Sequence, residues 1–318
     1  MEKGADMRKS PTQKKLTYGI GEWYGHLFDR LRPAEAKEFA ALGSRRKVLP
    51  CKSKRDFMCS KAGGVCSLRA YELDGDTGAA RPVGPLVTTC PYRFEEDNLI
   101  YRWISSEILG TERPILLGQI DFLRSVTLAE NGNKTSERED VGRIDNVLVH
   151  PELDHLRWCA LELQAVYFSG AEMGKEFTAV RTHEGAWPPY PAGGRRPDYR
   201  SSGPKRLMPQ LQIKVPALRR WGKKMAVLVD EPFFGALGPM EPADDVSNGD
   251  IVWFVVKYIE DSHAARLAAS FTCVTTLERA VEGLTAGQPV SLPTFEQRIL
   301  ERARQQAPIG LATSDRAQ

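Results

Sequence analysis

Two segments constrain the fold of this chain more than any others. They are Gly142-Arg143-Ile144-Asp145-Asn146-Val147-Leu148-Val149 and Cys159-Ala160-Leu161-Glu162-Leu163-Gln164-Ala165-Val166-Tyr167. Each carries apolar side chains on both faces of an extended backbone. A strand that is wet on one side alternates apolar with polar residues, whereas one that is apolar on both sides belongs inside a covered sheet. The acids, one in each segment, are then the exceptions to explain.

Side chains two apart on a strand share a face, so Glu162 and Gln164 point the same way. The interval His150–Trp158 is short enough for the two strands to pair, which brings Asp145 alongside Glu162. Two carboxylates buried side by side cost several kcal/mol unless a cation neutralises them. A hard divalent cation such as Mg2+ takes oxygen ligands and suits the pair. An ion held there can bind a phosphodiester oxygen and lower the pKa of a coordinated water. This is the chemistry of the D…(D/E)-x-K pattern, with Gln164 in the last position. Gln164 can hydrogen-bond water or phosphate but brings no charge. The alternative is two ordinary strand-edge acids, because short acidic patterns are common. His150, Glu152, Asp154 and His155 surround Pro151 and read as a solvated turn.

Further strands are expected at Ile115–Leu128, Met225–Val229 and Ile251–Ile259, which are rich in Val, Ile, Leu and aromatic residues. Trp23, Leu27 and Leu31 recur at i, i+4 and i+8, so residues 18–42 read as two helices parted near Pro33, with Gly43 as the stop. Glu95–Leu109 reads as a helix, and Leu277–Leu284 and Phe295–Arg304 as C-terminal helices. Trp187–Pro204 is rich in proline and glycine and reads as an irregular loop. Residues 307–318 read as a disordered tail. The result is an α/β (α+β) chain in four parts: an N-terminal helical segment (1–47), a cysteine module (48–94), a mixed-sheet core (95–306) and the tail.

The overall charge of +3 conceals an asymmetry. Residues 195–224 hold ten Lys or Arg against one acid, Asp198, a net charge of +9. Concentrated positive charge favours a polyanion through counterion release, and Arg195, Arg196, Lys205 and Arg206 are the candidates to touch it. No apolar run approaches the ~20 residues that span a bilayer. Met1–Lys15 lacks the apolar stretch of a secretory signal, so a cytoplasmic protein is expected.

Four of the six cysteines fall within forty residues, as Cys51-x7-Cys59-x6-Cys66 followed by Cys90-Pro91. In a reducing compartment a disulfide framework is not expected. Four thiolates in a segment of little periodicity suit a structural soft-metal site, iron or zinc, whose binding would order the module. Cys159 and Cys273 lie in strand-like text and read as core residues.

Together, the cysteine spacing with Gly64-Val65-Cys66, Cys90-Pro91 with Arg93, the Asp145 strand, Leu161-Glu162-Leu163-Gln164 running into Phe168-Ser169-Gly170, and Ile251-Val252-Trp253-Phe254-Val255 resemble the NotI family of type II restriction endonucleases. The resemblance implies a PD-(D/E)XK core and a bacterial restriction-modification system. It also implies a homodimer that cuts a GC-rich palindrome in double-stranded DNA with Mg2+, and iron on Cys51, Cys59, Cys66 and Cys90. Gln164 in place of lysine is itself family-like. Asp145 and Glu162 would hold the Mg2+, with the Leu163 carbonyl as a further ligand and Glu107 as a further candidate acid. The alternatives are a less site-specific nuclease of repair or defence, and a non-catalytic DNA-binding protein built on the cysteines.

Overall fold

The computed structural model describes residues 16–124, 127–128, 134–135, 140–262, 264–287 and 290–306. The tail expected at 307–318 lies outside the described residues. Two sheets organise the chain. A four-stranded antiparallel sheet is built from the short strand His26–Leu27, β1 (Thr17–Trp23), β2 (Val65–Leu73) and β3 (Ala80–Thr88), in that order. Against its outer side packs helix α1 (Pro33–Leu42), which buries Ala36 and Ala40 beside Trp23 and Tyr24.

The first helix expected within 18–42 is therefore strand β1, and only the second forms, as α1. The sequence Tyr18-Gly19-Ile20-Gly21-Glu22-Trp23 places glycine at alternate positions, which suits a helix poorly but lets neighbours approach one face of a strand. A Cβ on Gly21 would lie 2.7 Å from the Leu86 side chain. β1 pairs with β2 from Thr17↔Tyr71 to Trp23↔Val65, so one sheet runs across the boundary drawn at residue 47.

After helix α2 (Leu99–Leu109) comes the larger sheet. Its strands are β4 (Ile115–Leu117), β5 (Asn146–Val149), β6 (Trp158–Leu163), β7 (Met225–Asp230), β8 (Ile251–Glu260) and β9 (Ala265–Thr275). They lie in the order β9-β8-β7-β6-β5-β4. β6 and β7 are parallel, as are β7 and β8, and the remaining pairs are antiparallel. The expected single strand at 115–128 breaks after Leu117. Ile120–Arg124 turns away to pair with Asp140–Ile144.

Parallel strands need a crossover, and β6 reaches β7 through α3 (Met173–Thr182), the Pro- and Gly-rich loop and α4 (Met208–Arg220). Between β9 and the end of the described chain lie α5 (Leu277–Thr285) and α6 (Leu292–Ala303). The apolar pattern now has its reason, because the central strands are covered on both sides. Val147, Ala160, Val227, Val229, Trp253 and Val255 face α4 and α5, where Leu211, Val215, Leu218, Ala280 and Leu284 meet them. Leu148, Leu161, Ala226, Leu228, Val252 and Phe254 face α2, where Ile100 and Ile104 meet them. Cys159 belongs to this second layer and is fully buried. This is a mixed sheet flanked by helices, as the patterning requires. No helix among the described residues is long and apolar enough to cross a membrane.

Candidate active site

The antiparallel register of β5 and β6 sets Asn146 opposite Leu161, so the next residues outward, Asp145 and Glu162, come face to face. Their carboxyl groups lie within hydrogen-bonding reach of each other. Glu162 is buried on a strand that is apolar around it, while Asp145 sits at the bend between two strands with its side chain 42 % exposed. The expected encounter of the two acids is present in the fold.

Between them stands a residue the sequence reading passed over. Lys214 donates from Nζ to Glu162 Oε2 at 2.8 Å and to Asp145 Oδ2 at 3.3 Å, and its side chain is 2 % exposed. It reaches the acids from α4, where Leu211, Lys214, Val215 and Leu218 share one helical stripe against the sheet. A lysine at a core position of an amphipathic helix is a legible signal. It was hidden because the same residue counts as one more charge in the basic segment.

Burial pushes the Glu162 carboxyl up to about 7, with Asp145 adding to the rise and Lys214 opposing it. Gln164 is buried on the same face, and its side-chain amide donates to the Ala165 carbonyl at 2.6 Å. Its backbone N–H is bonded to Leu228 O, which fixes the end of β6 against β7. Glu162 and Gln164 form one wall of a cavity of about 750 Å³, whose rim includes Tyr167, Lys205, Arg206 and Gln210. Arg206 lies over the Tyr167 ring at 3.6 Å. Glu107 cannot join this site. It is exposed on α2, which covers the opposite face of the sheet.

The basic segment divides once it is folded. Arg195 is 4 % exposed and donates to Glu176 Oε1 at 3.0 Å, so its charge is balanced internally. Arg219 pairs with Asp250 and Glu278, and Lys214 with the two acids. Arg196, Lys205 and Arg206 remain exposed, and Lys205 and Arg206 stand at the mouth of the cavity. The expected loop at 187–204 is irregular as far as Arg195, then forms the two-residue strand Arg196–Pro197 and, from Tyr199, helical turns that continue through Gly203–Leu207 into α4.

The four clustered cysteines form two backbone pairs. Cys51 and Cys59 flank the Pro50–Met58 bridge, and the Cys90 N–H donates to the Cys66 carbonyl at 3.2 Å. Burial raises the thiol pKa of Cys59, Cys66 and Cys90, and each of these thiols is raised further by at least one other of the four. Such a set of soft, mutually repelling donors fits a soft cation, which would offset both effects. Among the described residues no three His, Cys, Asp or Glu side chains already converge closely enough to hold an ion. Two carboxylates without a third ligand still fit Mg2+, which is commonly held by one or two carboxylates with waters and phosphate oxygens completing its shell.

No curated protein matches the chain. A family model described as Restriction endonuclease NotI matches residues 39–269 of its 318. The matched span takes in the four clustered cysteines, both acids, Gln164 and Lys214. The chain belongs to the NotI family of type II restriction endonucleases, site-specific nucleases that bind DNA and hydrolyse it.

Proposed function

We propose that this chain cuts double-stranded DNA at one GC-rich palindrome by Mg2+-dependent phosphodiester hydrolysis at a PD-(D/E)XK-type site. Asp145 and Glu162 would hold the Mg2+, which supplies Lewis acidity toward the phosphate and a more acidic bound water. Gln164 would position water or the scissile phosphate once its amide leaves the Ala165 carbonyl. The observation that carries the reading is the contact of Asp145 with Glu162, the latter lining a cavity that Lys205 and Arg206 also line. A palindrome presents two equivalent bonds about a two-fold axis, which calls for a homodimer. Incubation of the protein with long genomic DNA and Mg2+ should yield discrete fragments with one shared end sequence. A smear would leave only a nuclease without site specificity, and intact DNA would remove the reading.

Cation binding should depend on pH through Glu162. With its carboxyl at about 7 in the metal-free protein, a cation must displace a proton at lower pH. Ca2+ affinity should therefore fall about tenfold per pH unit below 7 and level off above it. The same group makes the metal-free fold less stable as pH rises from about 4.5 to 7, because there the folded state holds the proton that the unfolded state has lost. Saturating Mg2+ should abolish that decline. Calorimetric titrations and melting curves across pH 5–8 check both slopes, and flat profiles would contradict them.

Arg196, Lys205 and Arg206 should hold the phosphate backbone. Replacing all three by alanine should weaken binding to every duplex alike and lower the slope of log K against log salt by about 0.9 for each lost contact. Discrimination between sites should change little, because phosphate contacts do not read bases. Binding in Ca2+ over a salt series measures this, and parallel lines for variant and wild type would assign these charges to solvation alone.

Cys51, Cys59, Cys66 and Cys90 would carry one structural iron, or zinc, per chain. Elemental analysis of purified protein should find it, and Cys59→Ser should lose the ion and melt at lower temperature. Active protein free of both metals would refute the site.

A further inference from the structure

We infer that Lys214 is a catalytic residue of this nuclease, bringing to the scissile phosphate, from a helix across the sheet face, the positive charge that Gln164 cannot supply. The inference rests on the proposed phosphodiester hydrolysis and adds a participant to it. Lys214 occupies a core position, with Leu211, Val215 and Leu218 on its stripe of α4 and a side chain 2 % exposed. An aliphatic side chain would fill that position without the desolvation cost of a buried ammonium, so packing alone does not select lysine.

Among the described residues its ammonium donates to Asp145 and Glu162, the two acids of the candidate site. The strand position two beyond Glu162 holds a neutral amide already spent on the Ala165 carbonyl. One turn before Lys214 on the same helix, Gln210 lines the cavity, and Lys205 and Arg206 line it just ahead of α4. The helix thus runs from the cavity mouth to the acids, and a DNA strand tracked by Lys205 and Arg206 is led toward the Lys214 ammonium.

In the reaction, a water oxygen forms a bond to phosphorus and the bond from phosphorus to the leaving sugar oxygen breaks. The attacking water releases a proton to solvent, and the leaving oxygen takes one from solvent water. Negative charge grows on the non-bridging oxygens in the transition state, and there the Lys214 N–H donates a hydrogen bond. Lys214 neither gains nor loses a proton overall. A donor aimed at developing charge in a partly enclosed site is worth about 10²–10³ in rate.

The competing account makes Lys214 a counter-ion that only holds the acids together until Mg2+ replaces it. Lys214→Met separates the two. Its single-turnover cleavage at saturating Mg2+ should fall by about 10²–10³, while Ca2+ binding by calorimetry is as tight as in wild type or tighter and DNA affinity in Ca2+ changes by less than about tenfold. The charge-conserving double variant, Gln164→Lys with Lys214→Gln, should recover cleavage to within about tenfold of wild type. Cleavage by Lys214→Met within about threefold of wild type would overturn the inference. So would a folded double variant as slow as a 10²-fold-impaired enzyme, and this arm decides alone if Lys214→Met does not fold. Wild type that never cuts removes the proposed function and this inference together. Wild type and Lys214→Met cutting equally removes only the inference.

Discussion

Asp145→Ala should lower Mg2+-dependent cleavage by at least about 10³ while duplex binding stays within about tenfold of wild type. The loss is large because Asp145 and Glu162 are in contact, Glu162 lines the cavity, and either acid alone leaves a divalent cation poorly held. The two substitutions differ in what they do to the fold. Asp145 is 42 % exposed at its side chain, so its removal leaves Lys214 paired with Glu162 and should shift melting little. Glu162→Ala removes the nearer partner of a fully buried ammonium and should destabilise as well as inactivate. Glu162→Gln is therefore the cleaner companion variant. Single-turnover rates, DNA affinity and melting temperature, measured on all three, test the pair. Cleavage by Asp145→Ala within tenfold of wild type would place the active site elsewhere.

The second large effect is expected at a distance from the chemistry. Glu22 on β1 and Arg93 just after β3 are 0 % and 2 % exposed, and Arg93 Nε meets both Glu22 carboxylate oxygens at 3.0 Å. Ser67 donates to the same carboxylate, and Arg93 also donates to the Ala265 carbonyl on β9. Arg93 further stacks its guanidinium against Tyr258. Arg93→Met leaves a buried carboxylate with a single hydroxyl partner and should cost about 3–5 kcal/mol. That corresponds to a melting temperature lower by roughly 5–10 °C. The double variant Glu22→Gln with Arg93→Met removes both charges and should recover most of the loss. A double variant no more stable than the single one would mean that packing, not the charge pair, sets the effect.

What the sequence makes legible here follows from how local each signal is. Strands β5 to β8 are readable because a two-sided apolar pattern has one physical meaning, and their register then brings Asp145 and Glu162 together. β1 misleads because Trp23, Leu27 and Leu31 fall at helical spacing by coincidence, while the informative residues are the alternating glycines. β9 is legible only around Cys273, because Ala265–Thr275 is an edge strand, half exposed, with Phe271 open to solvent. Lys214 and Arg195 are the instructive pair. Both sit in a stretch whose charge suggests an outward basic face, yet each is buried against an acid distant in sequence. Net charge over a window cannot tell a solvated cation from a balanced one. The partner decides that, and the partner is supplied only by the fold.

The threonine that closes β3 bears on how enzymes of this kind could be recombined. The Thr88 N–H donates to Asp230 Oδ2 at 2.7 Å, its carbonyl accepts from the Val166 N–H at 2.8 Å, and its hydroxyl lies 2.6 Å from the Tyr258 hydroxyl. Three strands or strand ends of the larger sheet are thereby anchored to one residue of the smaller. Expressing residues 95–306 alone would strip partners from Asp230 and Val166 within a few residues of Gln164. Chimeras that graft the first ninety residues of one homologue onto the remainder of another would have to carry this junction across intact. For altering target choice, exchange of exposed loops is the more workable route.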